Sequence, residues 1–180
     1  MNPMIQQAAR FAKAAHESID QRRKYSNEPY IVHPQAVAAL VSTVTDDYEM
    51  ICAAWLHDTV EDTPVTIEQI EAGFGTNIAA LVDDLTDVST DADGDWGTRL
   101  AIDREHTSRA SQRAKTIKLA DVIDNLSGVV QANARFAKRF VREKESLLAV
   151  LEEGHLELLV RARRLIGECK SELLMQESSL

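Results

Sequence analysis

The sequence predicts an all-α protein folded as a globular helical bundle. Apolar residues recur at intervals of three and four along most of the chain, and no segment alternates between apolar and polar residues as a half-buried strand does. The 180 residues include only seven Gly and four Pro, a composition typical of a compact chain rich in helix formers. No internal repeat, low-complexity tract or linker divides the sequence, so we expect one domain over residues 1–180.

The predicted elements of the N-terminal third are three helices. The first covers residues 4–19, where apolar side chains recur at helical spacing, and a polar loop follows it. The second begins at Pro34, a residue favoured in the first turn of a helix, and runs to about Val44. The third covers residues 48–62 and stops before Pro64, because the helical conformation is disfavoured for the residue before a proline.

Shorter segments follow the third helix. Thr66 and Gln69 have the spacing of a capping box and predict a short helix that ends near Gly73. The stretch STDADGDWG, residues 89–97, is rich in acids and helix-breaking residues and is predicted to be a loop. The remaining predicted helices cover residues 76–88, 98–109, 112–127, 133–152 and 155–175.

Charge and cysteine content limit the class of protein. The net charge of −9 argues against broad binding to nucleic acid, whose phosphate backbone selects basic surfaces. Two isolated cysteines indicate no disulfide framework, and the N-terminus lacks the apolar core of a signal peptide. No apolar run approaches the length that spans a membrane. We therefore expect a cytoplasmic protein that binds neither nucleic acid nor a membrane.

The stretch AAWLHDTVEDT, residues 53–63, begins as a buried helix and ends in charged residues. Each helical residue advances by about 100°, so one sector of the helix would carry His57, Asp58, Glu61 and Asp62. Three carboxylates at a helix C-terminus are unfavourable, because that end prefers cations and the acids repel one another. A bound divalent cation would remove both objections, and imidazole with carboxylate suits Mn²⁺, Fe²⁺ or Zn²⁺. The competing interpretation is a solvated polar helix end, with His57 packed against the core.

A metal ion would need ligands from elsewhere in the chain, and two segments could supply them. EPYIVHP places His33 immediately before Pro34, at a helix start. KTIKLADVIDNL places Lys118, Asp121 and Asn125 within an arc of about 60° on one helix face. An inward-facing Asp121 requires a partner, because an unpaired buried charge is costly. That partner is either a metal ion or a basic group such as Lys118.

The order of a His, a His-Asp pair and a distant Asp resembles the HD superfamily of metal-dependent phosphohydrolases. The segments RRKYSNEPYIVHP, AAWLHDTVEDT and IKLADVIDNL are similar to three consecutive boxes of the hydrolase domain of RelA/SpoT-type proteins. A chain of this length without a synthetase region is similar to the small alarmone hydrolases. The resemblance is strongest over residues 5–130, whereas the C-terminal helices of residues 131–180 add little to it.

The resemblance implies a role for each matched residue. One divalent ion, usually Mn²⁺ in this family, would be held by His33, His57, Asp58 and Asp121. Glu61 and Asp62 would be the catalytic residues that orient or deprotonate the attacking water. The nucleotide substrate would be contacted by Arg23, Lys24, Lys118 and Asn125. The implied reaction removes the 3′-pyrophosphate of (p)ppGpp and gives GDP or GTP and pyrophosphate.

The chain also departs from the usual pattern of this family. Leu126, Ser127 and Gly128 follow Asn125 where many relatives have an Arg and a Thr, and Glu28 stands where a Gly often precedes Pro-Tyr. The acidic loop of residues 89–97 occupies a region that often helps to hold substrate. Phosphate contacts could instead come from Arg99, Arg104 and Lys115, unless these are surface charges.

Two alternatives to alarmone hydrolysis stay open at this point. One keeps the chemistry and changes the substrate to another nucleotide, such as a nucleoside triphosphate or NADPH. The other is a non-catalytic module for nucleotide sensing or protein interaction. The retention of Glu61 and Asp62 beside every expected ligand favours an enzyme, because a sensor could lose either acid without unfolding.

Overall fold

Eleven α-helices make up most of the part of the chain that the computed structural model describes, residues 2–24 and 26–178. They are α1 (Pro3–Ser18), α2 (Val32–Ser42), α3 (Tyr48–Leu56), α4 (Thr59–Asp62), α5 (Ile67–Phe74), α6 (Thr76–Leu85), α7 (Trp96–Arg109), α8 (Gln112–Leu126), α9 (Val129–Ala132), α10 (Ala134–Leu148) and α11 (Leu156–Ser178). Within these residues the only β-type pairing is an isolated antiparallel bridge between Arg22 and Pro29. The prediction of an all-α helical bundle is confirmed.

Helix α8 is the central element of the bundle. Its N-cap is Ser111, whose hydroxyl accepts a hydrogen bond from the Ala114 amide at 3.2 Å, and the helix packs against α2, α3, α6, α10 and α11. Ten of its 15 residues are buried, and they include the charged Lys115 and Asp121. Because water cannot reach these two groups freely, their charges require partners inside the protein.

Helices α1, α2 and α3 form the N-terminal side of the bundle, with α3 packed against both α1 and α2. The N-cap of α1 is Asn2, whose side chain accepts a hydrogen bond from the Met4 amide at 2.9 Å. Its buried residues are Ala8, Ala12 and His16, which recur at every fourth position. The apolar stripe of α1 therefore continues into a buried histidine at the end of the helix.

The predicted continuous helix over residues 48–62 is wrong, because the structure interrupts it after Leu56. His57 Nδ1 lies 3.0 Å from the Ala54 carbonyl, and the Thr59 hydroxyl donates to the Leu56 carbonyl at 2.7 Å. In a continuous helix these two carbonyls would accept backbone N–H groups four residues further on. Side chains compete with the backbone for these acceptors, and Asp58 adopts a turn conformation (φ −94°, ψ −3°) before α4 begins.

Other predicted boundaries differ by a few residues. Helix α2 begins two residues before Pro34, and α7 begins two residues before the predicted position 98. Both bonds of the predicted capping box are present, between the side chain of Thr66 and the Gln69 amide and between the side chain of Gln69 and the Thr66 amide. The predicted loop 89–97 contains a single 3₁₀ turn at Asp91–Asp93. Each helix in the described ranges is too short or too polar to traverse a membrane.

The turn between α10 and α11 approaches α8 closely at Gly154. A β-carbon at this position would lie 2.6 Å from Leu119 Cδ1 and 3.2 Å from the Lys115 carbonyl carbon. The neighbouring His155 amide donates to the Thr116 hydroxyl at 3.0 Å, which holds the turn against the central helix. Glycine is therefore the residue that allows this contact.

We expect Gly154→Ala to lower the free energy of unfolding by about 1–3 kcal/mol, because the added methyl group overpacks the contact with α8. Gly167→Ala is the matched control, since that helical glycine has open space around its β-position and should gain about 0.5–1 kcal/mol. Urea denaturation followed by circular dichroism measures both variants. Equal stability of the two would contradict the close approach.

Candidate metal centre and active site

The four predicted metal ligands lie together at the centre of the bundle. His33 comes from the first turn of α2, His57 and Asp58 from the junction of α3 and α4, and Asp121 from α8. Asp121 Oδ1 lies 3.2 Å from His33 Nε2 and 3.8 Å from His57 Nε2. The two oxygens of Asp58 lie 3.4 Å from His33 Nε2 and 3.2 Å from His57 Nε2. We refer to these four residues as the metal cluster.

Both imidazoles are held by a hydrogen bond on the side that faces away from the cluster. His57 Nδ1 donates to the Ala54 carbonyl at 3.0 Å, and His33 Nδ1 donates to Asp124 Oδ2 at 2.6 Å. These bonds place a proton on each Nδ1 and leave each Nε2 facing Asp58 and Asp121. A histidine that bonds a carboxylate or carbonyl on one side and a cation on the other is the usual arrangement in metal sites.

Electrostatics at the cluster favours positive charge. Burial opposes protonation of His33, but hydrogen bonds to Asp121, Asp124 and Asp58 outweigh it and raise its pKa to about 11. Burial likewise opposes ionisation of Asp121, yet the two imidazoles and Lys118 lower its pKa well below the usual value. The protein therefore stabilises an excess of cationic charge at the point where these side chains meet.

The residues of the cluster fit a divalent cation. His57 is 1% exposed, and no group among residues 2–24 and 26–178 forms a hydrogen bond with its Nε2. His33, His57 and Asp58 each offer a ligand atom within 4.8 Å of the others. A cation that displaces the proton from His33 Nε2 would meet two imidazole nitrogens and two carboxylates, a donor set that suits Mn²⁺, Fe²⁺ or Zn²⁺.

Three further side chains contact the carboxylates of the cluster. The Tyr30 hydroxyl donates to Asp58 Oδ2 at 2.7 Å, and the Asn125 amide donates to Asp121 Oδ1 at 2.5 Å. Lys118 Nζ lies 3.7 Å from Asp121 Oδ2. Although burial opposes protonation of Lys118, Asp121 and neighbouring acids raise its pKa. Lys118 on α8 thus compensates part of the negative charge of Asp58 and Glu61, two of the acids at the end of the third predicted helix.

Glu61 and Asp62 lie near different neighbours. Glu61 Oε2 accepts a hydrogen bond from the Asp87 amide at 3.3 Å, and Asp62 Oδ2 accepts one from Gln21 Nε2 at 2.9 Å. Both residues reach solvent, but the protein packed around the Glu61 carboxylate and the charge of Asp87 raise its pKa to about 7. Burial also raises the pKa of Asp62, an effect that the Gln21 hydrogen bond opposes.

Three of the four predicted substrate contacts line one cavity of about 570 Å³. Arg23 donates to Asn125 Oδ1 at 3.3 Å and pairs with Asp124 at 3.1 Å, while Lys24 Nζ lies 4.9 Å from the centre of the Phe136 ring. Tyr30, Gly128 and Phe140 are also part of the wall. This space, the Arg23 cavity, combines cations with aromatic rings and reaches the cluster through Tyr30 and Asn125.

The fourth predicted substrate contact, Lys118, lines a different cavity of about 340 Å³. The cations that share this space, the Lys118 cavity, are Arg104, Arg139, Arg142 and Lys144. The Arg139 guanidinium lies 3.9 Å from the centre of the Trp96 ring, an arrangement typical of cation–π contacts. Of the other two basic residues considered from sequence, Arg99 pairs with Asp91 and Lys115 with Glu153.

A family model described as HD domain matches residues 8–155, which is most of the chain. The chain belongs to the HD domain family. Membership of this family implies a divalent metal, and His33, His57 and Asp58 form a group that could hold such an ion.

Named relatives extend the comparison of this HD domain. It is 42% identical over 127 residues to the guanosine-3′,5′-bis(diphosphate) 3′-pyrophosphohydrolase MESH1 of Xenopus tropicalis, a match that covers 68% of each protein. It is 37% identical over 147 residues to a probable guanosine-3′,5′-bis(diphosphate) 3′-pyrophosphohydrolase of Synechocystis. That match covers 76% of this chain but 18% of the cyanobacterial protein, so the chain spans about a fifth of that relative.

Solved structures share the fold of this HD domain. One is described as a metazoan ortholog of SpoT that hydrolyses ppGpp and plays a role in starvation responses. It superposes with a TM-score of 0.84 at 26% identity, over 93% of this chain and 96% of that one. The lmo0812 protein of Listeria monocytogenes matches with a TM-score of 0.63 at 26% identity, over 76% of this chain and 97% of its own.

We expect Asp58→Ala to weaken Mn²⁺ binding by roughly 100-fold or more, because loss of a direct ligand should cost at least as much as loss of an outer partner. Asp83→Ala, on the exposed surface of α6, is the matched control and should bind as the unchanged protein does. Isothermal titration calorimetry with MnCl₂ measures both affinities. Undiminished binding by Asp58→Ala would rule out the site.

Proposed function

We propose that this HD domain is a metal-dependent phosphohydrolase that removes the 3′-pyrophosphate of guanosine alarmones. The products would be GDP or GTP and pyrophosphate. The relatives named as guanosine-3′,5′-bis(diphosphate) 3′-pyrophosphohydrolases support this reaction, and one of them matches over 68% of its length. The composition of the chain further supports a cytoplasmic enzyme without a nucleic-acid partner, and both of these remain predictions.

The observation that carries this proposal is the presence of two cation-bearing cavities, each lined by at least one residue that contacts the metal cluster. The Arg23 cavity adjoins it through Tyr30 and Asn125, and the Lys118 cavity adjoins it through Lys118. A nucleotide with phosphate groups at two separate positions of its ribose can place one group at the cluster and the other in a basic cavity. A nucleoside triphosphate carries all its phosphates at one position of the ribose, so it cannot place separate phosphate groups both at the cluster and in a basic cavity.

Mn²⁺ is the metal that we infer for the cluster, held by His33, His57, Asp58 and Asp121. When bound, a divalent ion lowers the pKa of water and offsets charge on phosphoryl oxygens. The side chains fix its surroundings: Asp124 and the Ala54 carbonyl orient the two imidazoles, and Tyr30 and Asn125 orient the two carboxylates. Such outer partners hold the ligands in one arrangement before substrate arrives.

Glu61 and Asp62 are the residues to which we assign the orientation or deprotonation of the attacking water. A carboxylate near the reacting phosphorus can align a water molecule and accept its proton. The raised pKa of Glu61, about 7, makes it a better proton acceptor than an ordinary glutamate. Lys118 Nζ and the guanidinium groups of the Lys118 cavity can offset charge on the phosphates that remain.

The Arg23 cavity suits the base and ribose of the nucleotide. Phe136 and Phe140 stack on each other with ring centres 5.1 Å apart, and they form an apolar wall. Arg23 and Asn125 place hydrogen-bonding groups on the side of the cavity that faces the cluster. An aromatic wall beside fixed polar groups is a common setting for a planar base.

With Mn²⁺ present, we expect the purified protein to release pyrophosphate from ppGpp and pppGpp. The same assay should include GTP, ATP and NADPH, with products resolved by anion-exchange chromatography. Release of a single phosphate from NADPH would support the alternative in which NADPH is the substrate, since NADPH also carries phosphate at two positions. Hydrolysis of GTP at the same rate as ppGpp would contradict the role of the second cavity.

The double variant Glu61→Gln with Asp62→Asn should keep Mn²⁺ affinity within about twofold and lose turnover by roughly 10²- to 10⁴-fold, because both water-orienting carboxylates are replaced by neutral groups. Calorimetry and a pyrophosphate assay measure the two quantities. The control is Glu71→Gln with Asp83→Asn, on the exposed surfaces of α5 and α6. Normal turnover by the first double variant would show that neither acid acts on the water.

A further inference from the structure

His16 is a buried histidine that the metal cluster does not use. It lies in the last turn of α1, is 1% exposed, and packs against the ring of Tyr30 with ring centres 4.8 Å apart. Burial lowers its pKa despite nearby acids, so the ring is neutral and carries one N–H. A ring used only for packing would be better served by an apolar side chain, because a polar ring in the core needs hydrogen bonds.

The hydrogen bonds of His16 lead to one of the two catalytic acids. Its Nδ1 lies 2.6 Å from Gln21 Oε1, and Gln21 Nε2 lies 2.9 Å from Asp62 Oδ2. A carboxylate only accepts, so the Gln21 amide must turn its NH₂ group towards Asp62 and its oxygen towards His16. His16 must then carry its proton on Nδ1. We call these three residues the Gln21 network.

The backbone of Gln21 is held at both of its polar atoms. Its N–H donates to the His16 carbonyl at 3.0 Å, and its carbonyl accepts from the Tyr30 amide at 3.0 Å. Asp20 precedes it with φ of +48°, which turns the chain sharply after α1. The network therefore joins α1, the loop that follows it and α4 through positions with little freedom.

We propose that Gln21, oriented by His16, is a positioning residue that fixes the carboxylate of Asp62 for its action on the attacking water. This inference rests on the proposed function of Asp62. The contact is specific to one acid, because Glu61 accepts its hydrogen bond from the backbone of Asp87 instead. The two acids are thus held by different parts of the protein, and Asp62 alone depends on the α1 side.

The first test is Gln21→Leu, which removes the donor to Asp62 and keeps a side chain of similar size. We expect kcat for pyrophosphate release to fall roughly 10- to 100-fold, since a misplaced catalytic group costs about this much. KM and Mn²⁺ affinity should stay within about twofold. The control is Gln7→Leu, on the exposed side of α1, where the amide bonds the Gly73 carbonyl instead.

A double-mutant cycle separates positioning from a general structural effect. In the Asp62→Asn background, Gln21→Leu should cost little further activity, because the group that it positions is already lost. His16→Phe should lower kcat in the unchanged protein and add little once Gln21 is Leu. A full-sized loss from Gln21→Leu in the Asp62→Asn background would overturn the proposal.

A spectroscopic measurement on the unchanged protein tests the orientation without any substrate. Nitrogen-15 NMR of labelled histidine should show His16 neutral with its proton on Nδ1, and this preference should weaken in Gln21→Leu. A proton on Nε2 would overturn the orientation of Gln21 by His16. Failure of the unchanged protein to hydrolyse ppGpp would instead overturn the proposed function, so the two failures are distinguishable.

Discussion

The burial of the Asp121 carboxylate in the central helix is the constraint on which the arrangement of this bundle depends. Asp121 is 5% exposed, and a charge so far from water requires compensation within the protein. The compensation comes from His33 on α2, from His57 after α3 and from Lys118 on α8 itself. Helices α2 and α3, which both pack against α8, are therefore also joined to it by charged contacts through His33 and His57. The packing of the core and the geometry of the site thus depend on each other.

The helix is interrupted between α3 and α4, at two residues that belong to the metal cluster. The break after Leu56 leaves the Ala54 carbonyl to the His57 ring, and that bond turns His57 Nε2 towards the carboxylates. The same break separates Asp58, which belongs to the metal cluster, from Asp62, which faces the α1 side. A continuous helix would satisfy the backbone better but would leave the orientation of the ring undetermined.

Sequence alone predicted the helical class, most helix positions and the meeting of the four residues of the metal cluster. The break after Leu56 was not predicted, because the spacing of residues does not show whether side chains compete with backbone N–H groups for the carbonyls of a helix. Asp124 was overlooked, although its position three residues after Asp121 places it on a neighbouring part of the same helix face. The Gln21 network could not be predicted, because Gln21 and Asp62 are 41 residues apart and only the packing of α1 brings them together. The Lys118 cavity could not be predicted from the sequence for the same reason, because its lining residues are far apart along the chain.

The segment between α1 and α2 contributes to three structures at once. Within residues 19–31, Gln21 holds Asp62, Arg23 lines the Arg23 cavity, and Tyr30 bonds a carboxylate of the metal cluster. The isolated β-bridge within it fixes the spacing of these residues. A loop usually tolerates insertions, but one inserted residue here would displace all three contacts together. The length of this loop is thus constrained by three separate contacts, each of which depends on the position of one of its residues.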